Sequence, residues 1–114
     1  MKLTAKIKKA IMAHAEKSYP EECCGLIVDG KYIQCKNIAP TIYDQNGNIK
    51  QDKTTNFEID PNDLISAESQ GEIQAYVHSH PDGTARATDL DRIQIELHKK
   101  PWVICSYPDL DFQV

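Results

Sequence analysis

The sequence has 114 residues, which is a length typical of one domain with a modest core. Hydrophobic residues make up 40%, charged residues 26%, and the formal net charge is -4, a balance that argues against a nucleic-acid partner. No apolar run approaches the roughly 20 residues that cross a bilayer, and lysines interrupt the apolar N-terminus where a signal peptide would be continuous. We therefore predict one domain over residues 1–114, with no membrane span and no signal peptide.

The first third of the chain predicts a helix followed by a β-hairpin. Apolar residues recur at three- and four-residue steps over residues 3–18, and His14 shares their face, which is typical of a core histidine. An apolar run at 23–28 and an alternating run at 31–38 then flank the turn signal Asp29-Gly30.

The rest of the chain alternates predicted strands and helices after a polar loop at 39–54, which has a small hairpin at its tip. The six further elements are a strand at 57–59, a helix opened by Pro61 and ending near Gly71, a strand at 73–78, a helix beginning at Thr88, a strand at 102–106, and the start of a strand at 110–114. Helices and strands mixed around one sheet predict an α/β or α+β sandwich.

The four cysteines do not form a metal-binding or disulfide pattern. Cys23 and Cys24 are neighbours, Cys35 and Cys105 stand apart, and there is no C-x-x-C. We predict reduced thiols that act as small buried apolar residues.

His78 ends the strand predicted at 73–78, and His80 follows two residues later. On a strand, His78 and His80 point to the same face, so their rings can converge on one ion. Two imidazoles and one carboxylate are a common ligand set for catalytic zinc. Asp91, in the first turn of the following helix, is the candidate carboxylate, although Thr88-x-x-Asp91 also suits a structural helix cap. Asp82 is a rival through the pattern H-x-H-x-D.

A hydrolytic zinc site also needs a general base, usually a carboxylate close to the attacking water. Glu21 and Glu22 stand at the start of the first predicted strand. Either can serve the site only if this strand lies beside the histidine strand.

Together these residues resemble the signature of the JAMM (JAB/MPN) metalloproteases, P-x-E-x-x-G followed by H-x-H-P-x6-[ST]-x2-D. The matching positions are Pro20, Glu22, Gly25, His78, His80, Pro81, Thr88 and Asp91. The resemblance covers nearly the whole chain. It implies the cytidine-deaminase-like JAB/MPN architecture, an α+β sandwich with a single mixed, largely antiparallel sheet flanked by helices.

The resemblance also implies a zinc metallopeptidase that cleaves a peptide or isopeptide bond. His78, His80 and Asp91 would bind one Zn²⁺, and a water would take the fourth position. Glu22 would accept a proton from that water and pass it to the leaving amine. Thr88, where the family usually has serine, would donate a hydrogen bond to the developing oxyanion.

A closer likeness is to the JAMM domain of tailed-phage tail assembly proteins of the lambda protein K type. It rests on PEECCG, 57-FEIDPNDL-64 and 76-YVHSHPD-82. It implies a protein or peptide substrate among phage tail proteins, a place in the bacterial cytoplasm or the virion tail, and truncation before a peptidoglycan-hydrolase domain. Two alternatives remain: a non-catalytic structural module of the tail, and a hydrolase acting on a ubiquitin-like or sulfur-carrier protein.

Overall fold

The computed structural model describes residues 3–81, 100–107 and 112–113. The helix predicted to begin at Thr88 lies outside these residues. The elements are α1 (Ala5–Ser18), β1 (Cys24–Val28), β2 (Lys31–Cys35), β3 (Ile42–Tyr43), β4 (Ile49–Gln51), α2 (Pro61–Glu68), β5 (Ile73–His80), β6 (Trp102–Ser106) and β7 (Phe112–Gln113).

Both described helices begin where a side chain caps them. The hydroxyl oxygen of Thr4 accepts from the backbone N–H of Ile7 at 3.1 Å, so α1 begins at Ala5. The carboxylate of Asp60 accepts from the N–H of Asn62, and Pro61 takes the first helical position of α2 as predicted. Neither of these helices is long and apolar enough to cross a membrane.

Among the described residues, the main sheet has five strands in the order β2-β1-β5-β6-β7. Of the four pairs that these strands form, β5–β6 is parallel and the others are antiparallel, which confirms the predicted mixed, largely antiparallel sheet. The predicted small hairpin is also present, as a separate ribbon formed by β3 and β4. The strand predicted at 57–59 is wrong, because this segment forms a single bridge between Ile59 and Asn37.

Helices cover the two faces of the sheet. Residues of α1 such as Ile11 pack with Val77 and Val103 on one face, and Ala67 of α2 packs with Leu26 on the other. Side chains alternate along β5, so His78 and His80 lie on the same face as Tyr76, which packs with the α2 cluster.

The sequence left open whether the strand that follows Glu21 and Glu22 lies beside the histidine strand, and the structure shows that it does. The two strands are antiparallel neighbours, and Cys24 is opposite His78. This register brings the residues just before β1 to the end of β5 that carries the histidines.

The four cysteines are free and buried, as predicted. Burial raises the pKa of the Cys35 thiol to about 12, and burial raises that of Cys105 to about 12 as well. These two thiols therefore stay protonated at neutral pH and offer no thiolate chemistry.

His14 is the buried core histidine that the pattern predicted. Its Nδ1 lies 2.7 Å from the Tyr32 hydroxyl oxygen. Burial lowers its pKa, and the charge of Lys17 lowers it further, so His14 favours the neutral form in the folded chain.

Gly25 is required by a close approach between strands. A Cβ atom at this position would lie 2.5 Å from the Ile33 carbonyl oxygen and would also meet the Tyr32 ring. We expect Gly25→Ala to lower the free energy of unfolding by about 1–3 kcal/mol or more, as overpacking does. Urea unfolding measures this.

Gly30→Asn is the matched control, because a Cβ there meets no atom within 4 Å and asparagine tolerates the observed φ of +72°. Equal unfolding free energies for the two variants would contradict the steric explanation.

Candidate metal centre

The two histidine side chains meet at the end of β5. His78 is 0% exposed and His80 is 3% exposed, and their Nε2 atoms lie 3.1 Å apart. Two nitrogens bound to one tetrahedral zinc at 2.0–2.1 Å are about 3.3 Å apart, so the observed spacing suits a shared ion. The same spacing also suits a hydrogen bond in which one Nε2 donates to the other.

Glu22 joins the two rings from the segment just before β1. Its side chain is 5% exposed, and one carboxylate oxygen and one nitrogen from each histidine all lie within 4.8 Å of one another. Glu21, the other candidate base, has an exposed side chain and is not among these three residues. Burying three titratable groups together is costly unless they bind one another or an ion, so this group is a candidate functional site.

A pair of hydrogen bonds joins Cys23, the residue after Glu22, to Ser79 in β5. The Ser79 N–H donates to the Cys23 carbonyl at 3.0 Å, and the Cys23 N–H donates to the Ser79 hydroxyl oxygen at 2.7 Å. Ser79 stands between the two histidines and faces the opposite side of the sheet. The pair fixes the backbone next to Glu22 relative to both rings.

Aromatic rings hold the orientation of the His78 ring. Phe57 stacks on it with ring centroids 4.5 Å apart and planes 20° apart. Trp102 meets the same ring edge-on at 5.6 Å and itself stacks on Tyr76 at 5.0 Å. Trp102 is itself buried. The contact of Phe57 with the site was missed, since its alternation with Ile59 indicated only a strand.

The structure brings three of the five predicted site residues together, namely Glu22, His78 and His80. The other two, Thr88 and Asp91, lie outside the described residues, as does the rival Asp82.

The donor chemistry of the described group fits a divalent metal. Imidazole nitrogens suit zinc and other late transition metals, and a carboxylate adds negative charge. A catalytic zinc usually has three protein ligands and one water. If the two histidines are ligands, the ion therefore has room for one further protein ligand and for water.

The fold and this site define a class of protein. The chain belongs to the family of prokaryotic homologues of the JAB domain, whose sequence profile matches residues 4–112. This confirms the resemblance and the fold class that the motifs predicted.

Two phage proteins are similar in sequence. The chain is 36% identical over 108 residues to the tail tip assembly protein K of Escherichia phage N15, covering 91% of this chain and 40% of that protein. It is 42% identical over 48 residues to the tail tip assembly protein K of Escherichia phage lambda, covering 41% of this chain and 24% of that protein. The chain thus spans well under half the length of both relatives.

A solved structure shares the fold. The solution structure of protein DSY2949 from Desulfitobacterium hafniense has a TM-score of 0.63 and 24% identity, covering 90% of this chain and 72% of that chain.

Proposed function

We propose that this domain is a zinc-dependent metallopeptidase that hydrolyses a peptide or isopeptide bond. The observation that carries the proposal is the buried group of Glu22, His78 and His80, whose ligand atoms lie within 4.8 Å of one another. Membership of the JAB-domain family supports it, and so does the resemblance of the motif that includes these residues to that of the JAMM metalloproteases.

Each residue has a role in the proposed mechanism. His78 and His80, together with Asp91 of the motif, would hold one Zn²⁺. When bound, zinc supplies Lewis-acid chemistry that polarises the scissile carbonyl and lowers the pKa of water. Glu22 accepts a proton from the attacking water at its carboxylate and donates it to the leaving amine nitrogen as the C–N bond breaks. The Thr88 hydroxyl donates a hydrogen bond to the developing oxyanion.

Burial strengthens the proposed chemistry. Glu22 and both histidines are almost fully excluded from water, where hydrogen bonds and charges act more strongly than at an open surface. Phe57 and Trp102 restrict the His78 ring, so less ordering is needed when an ion binds.

The proposed setting is phage tail assembly, with proteins of the tail as substrates. The support is the similarity to two proteins named tail tip assembly protein K. We place the domain in the cytoplasm of a bacterial host or in the tail of the virion.

The second candidate is a tail-assembly module that binds a partner without cleaving it. The names of the two phage relatives favour this function, because they describe assembly and not hydrolysis.

One experiment separates the two candidates. The zinc-loaded domain is incubated with purified phage tail proteins, and mass spectrometry searches for new protein termini. The peptidase predicts new termini that disappear with a zinc chelator and return when zinc is restored. A folded, zinc-loaded domain that binds a tail protein and produces no new termini would support the assembly module instead.

A further inference from the structure

The backbone of Glu22 is held by contacts outside the regular sheet. β1 begins at Cys24, so strand pairing does not position Glu22 directly. Its N–H donates to the Lys53 carbonyl at 2.7 Å, and its carbonyl accepts from the Asn37 side-chain Nδ2 at 3.0 Å. Both contacts come from segments that are distant in sequence.

The Asn37 side chain is the centre of this arrangement. Its Nδ2 also donates to the Asn56 carbonyl at 3.1 Å, and its Oδ1 accepts from the N–H of Ala39 at 3.0 Å and of Glu58 at 3.1 Å. An asparagine amide has two donors and two acceptor positions, so these four bonds use its full capacity. The amide has only one orientation that makes them, because two partners are carbonyls and two are N–H groups.

The segment 52–57 links this asparagine to both sides of the site. Lys53 and Asn56 connect the segment to Glu22, the first directly and the second through Asn37. The next residue, Phe57, stacks on His78. One side chain therefore joins the backbone of the proposed base to the segment that orients a proposed ligand.

We propose that Asn37 is a positioning residue, which fixes the Glu22 carboxylate relative to the histidine pair without touching substrate. This inference rests on the proposed function for its catalytic consequence. A small displacement of a catalytic group costs up to about 100-fold in rate, so loss of the Asn37 bonds has a measurable effect.

Asn37→Asp is the test, because it keeps the shape and the Oδ1 acceptor and removes both N–H donors. Its matched control is Asn62→Asp, the same substitution at an exposed position in the first turn of α2. Hydrogen exchange of the Glu22 amide is compared with that of the Leu26 amide in β1. Zinc content, kcat and KM are measured on the same samples.

In Asn37→Asp, the bond from the Glu22 N–H to the Lys53 carbonyl remains, but it opens more often because the Asn37 bonds to the Glu22 and Asn56 carbonyls are lost. We therefore expect the ratio of the Glu22 to the Leu26 exchange rate to rise by about two- to tenfold, the size of effect that one lost hydrogen bond has. We expect kcat to fall about tenfold or more with KM and zinc content nearly unchanged. Asn62→Asp should match the unmodified domain in every readout.

Two results would overturn the inference. One is an unchanged exchange ratio, whether neither amide or both amides exchange faster, and the other is a raised ratio with unchanged kcat. If the unmodified domain cleaves no tail protein, the proposed function fails by itself. The exchange ratio then decides alone whether Asn37 holds Glu22.

Discussion

Glu22→Gln is expected to lower the cleavage rate by about 10²- to 10⁴-fold, which is the usual contribution of general acid–base catalysis. The amide has nearly the same shape as the carboxylate, yet it cannot accept the proton of the attacking water. Glu22 is proposed as the base and not as a zinc ligand, so the variant should retain about one zinc per chain. The rate is measured by mass spectrometry of the tail-protein products.

Glu21→Gln is the matched control, because Glu21 is the exposed neighbour of the buried Glu22. It should leave the rate unchanged. A Glu22→Gln protein that keeps more than about a tenth of the unmodified rate would exclude Glu22 as the general base. Loss of zinc in Glu22→Gln would instead indicate that Glu22 is a zinc ligand.

Asp91→Asn is expected to lower zinc affinity by more than about 100-fold, whereas Asp82→Asn leaves it unchanged. Mutation of a residue that only orients a metal ligand already costs about 10- to 100-fold, and removal of a ligand should cost more. Competition with a zinc-binding dye measures both affinities. The two variants remove the same charge, so a general electrostatic effect would change both.

The opposite result would support the H-x-H-x-D interpretation, in which Asp82 is the ligand. Unchanged affinity in both variants would assign Asp91 to its structural alternative, a cap at the start of the helix predicted from Thr88.

Local patterns predicted much of the fold because they act over a few residues. The Asp29-Gly30 turn is an example, since both residues adopt positive φ, 49° and 72°, as a tight two-residue hairpin requires. The period of two along a strand likewise placed His78 and His80 on one face, and their Nε2 atoms are 3.1 Å apart.

Contacts between distant segments could not be predicted in the same way. Whether Glu22 reaches the histidines depends on β1 pairing with β5, and no local pattern encodes that pairing. The prediction that Glu22 lies close to the histidines came instead from the resemblance to the JAMM signature.

The error at 57–59 has the same origin. The alternation of Phe57 and Ile59 is typical of a strand, but the N–H of Glu58 donates to the Asn37 side chain and not to a second strand. The helix cap at Asp60 follows at once and leaves no room for further pairing. Asn37 has one local contact, with the N–H of Ala39, but the partners of its Nδ2 and the Glu58 N–H are 15 to 21 positions away and could not be predicted from local sequence.

The central claim is that His78 and His80 bind zinc, and elemental analysis of protein purified without chelator tests it most directly. We predict about one zinc per chain in the unmodified domain, near zero in His80→Ala, and about one in His14→Gln, whose histidine lies in the core beside Tyr32. A folded, unmodified domain that binds no zinc after zinc is added back would contradict the claim. So would a His80→Ala protein that keeps the zinc content of the unmodified domain.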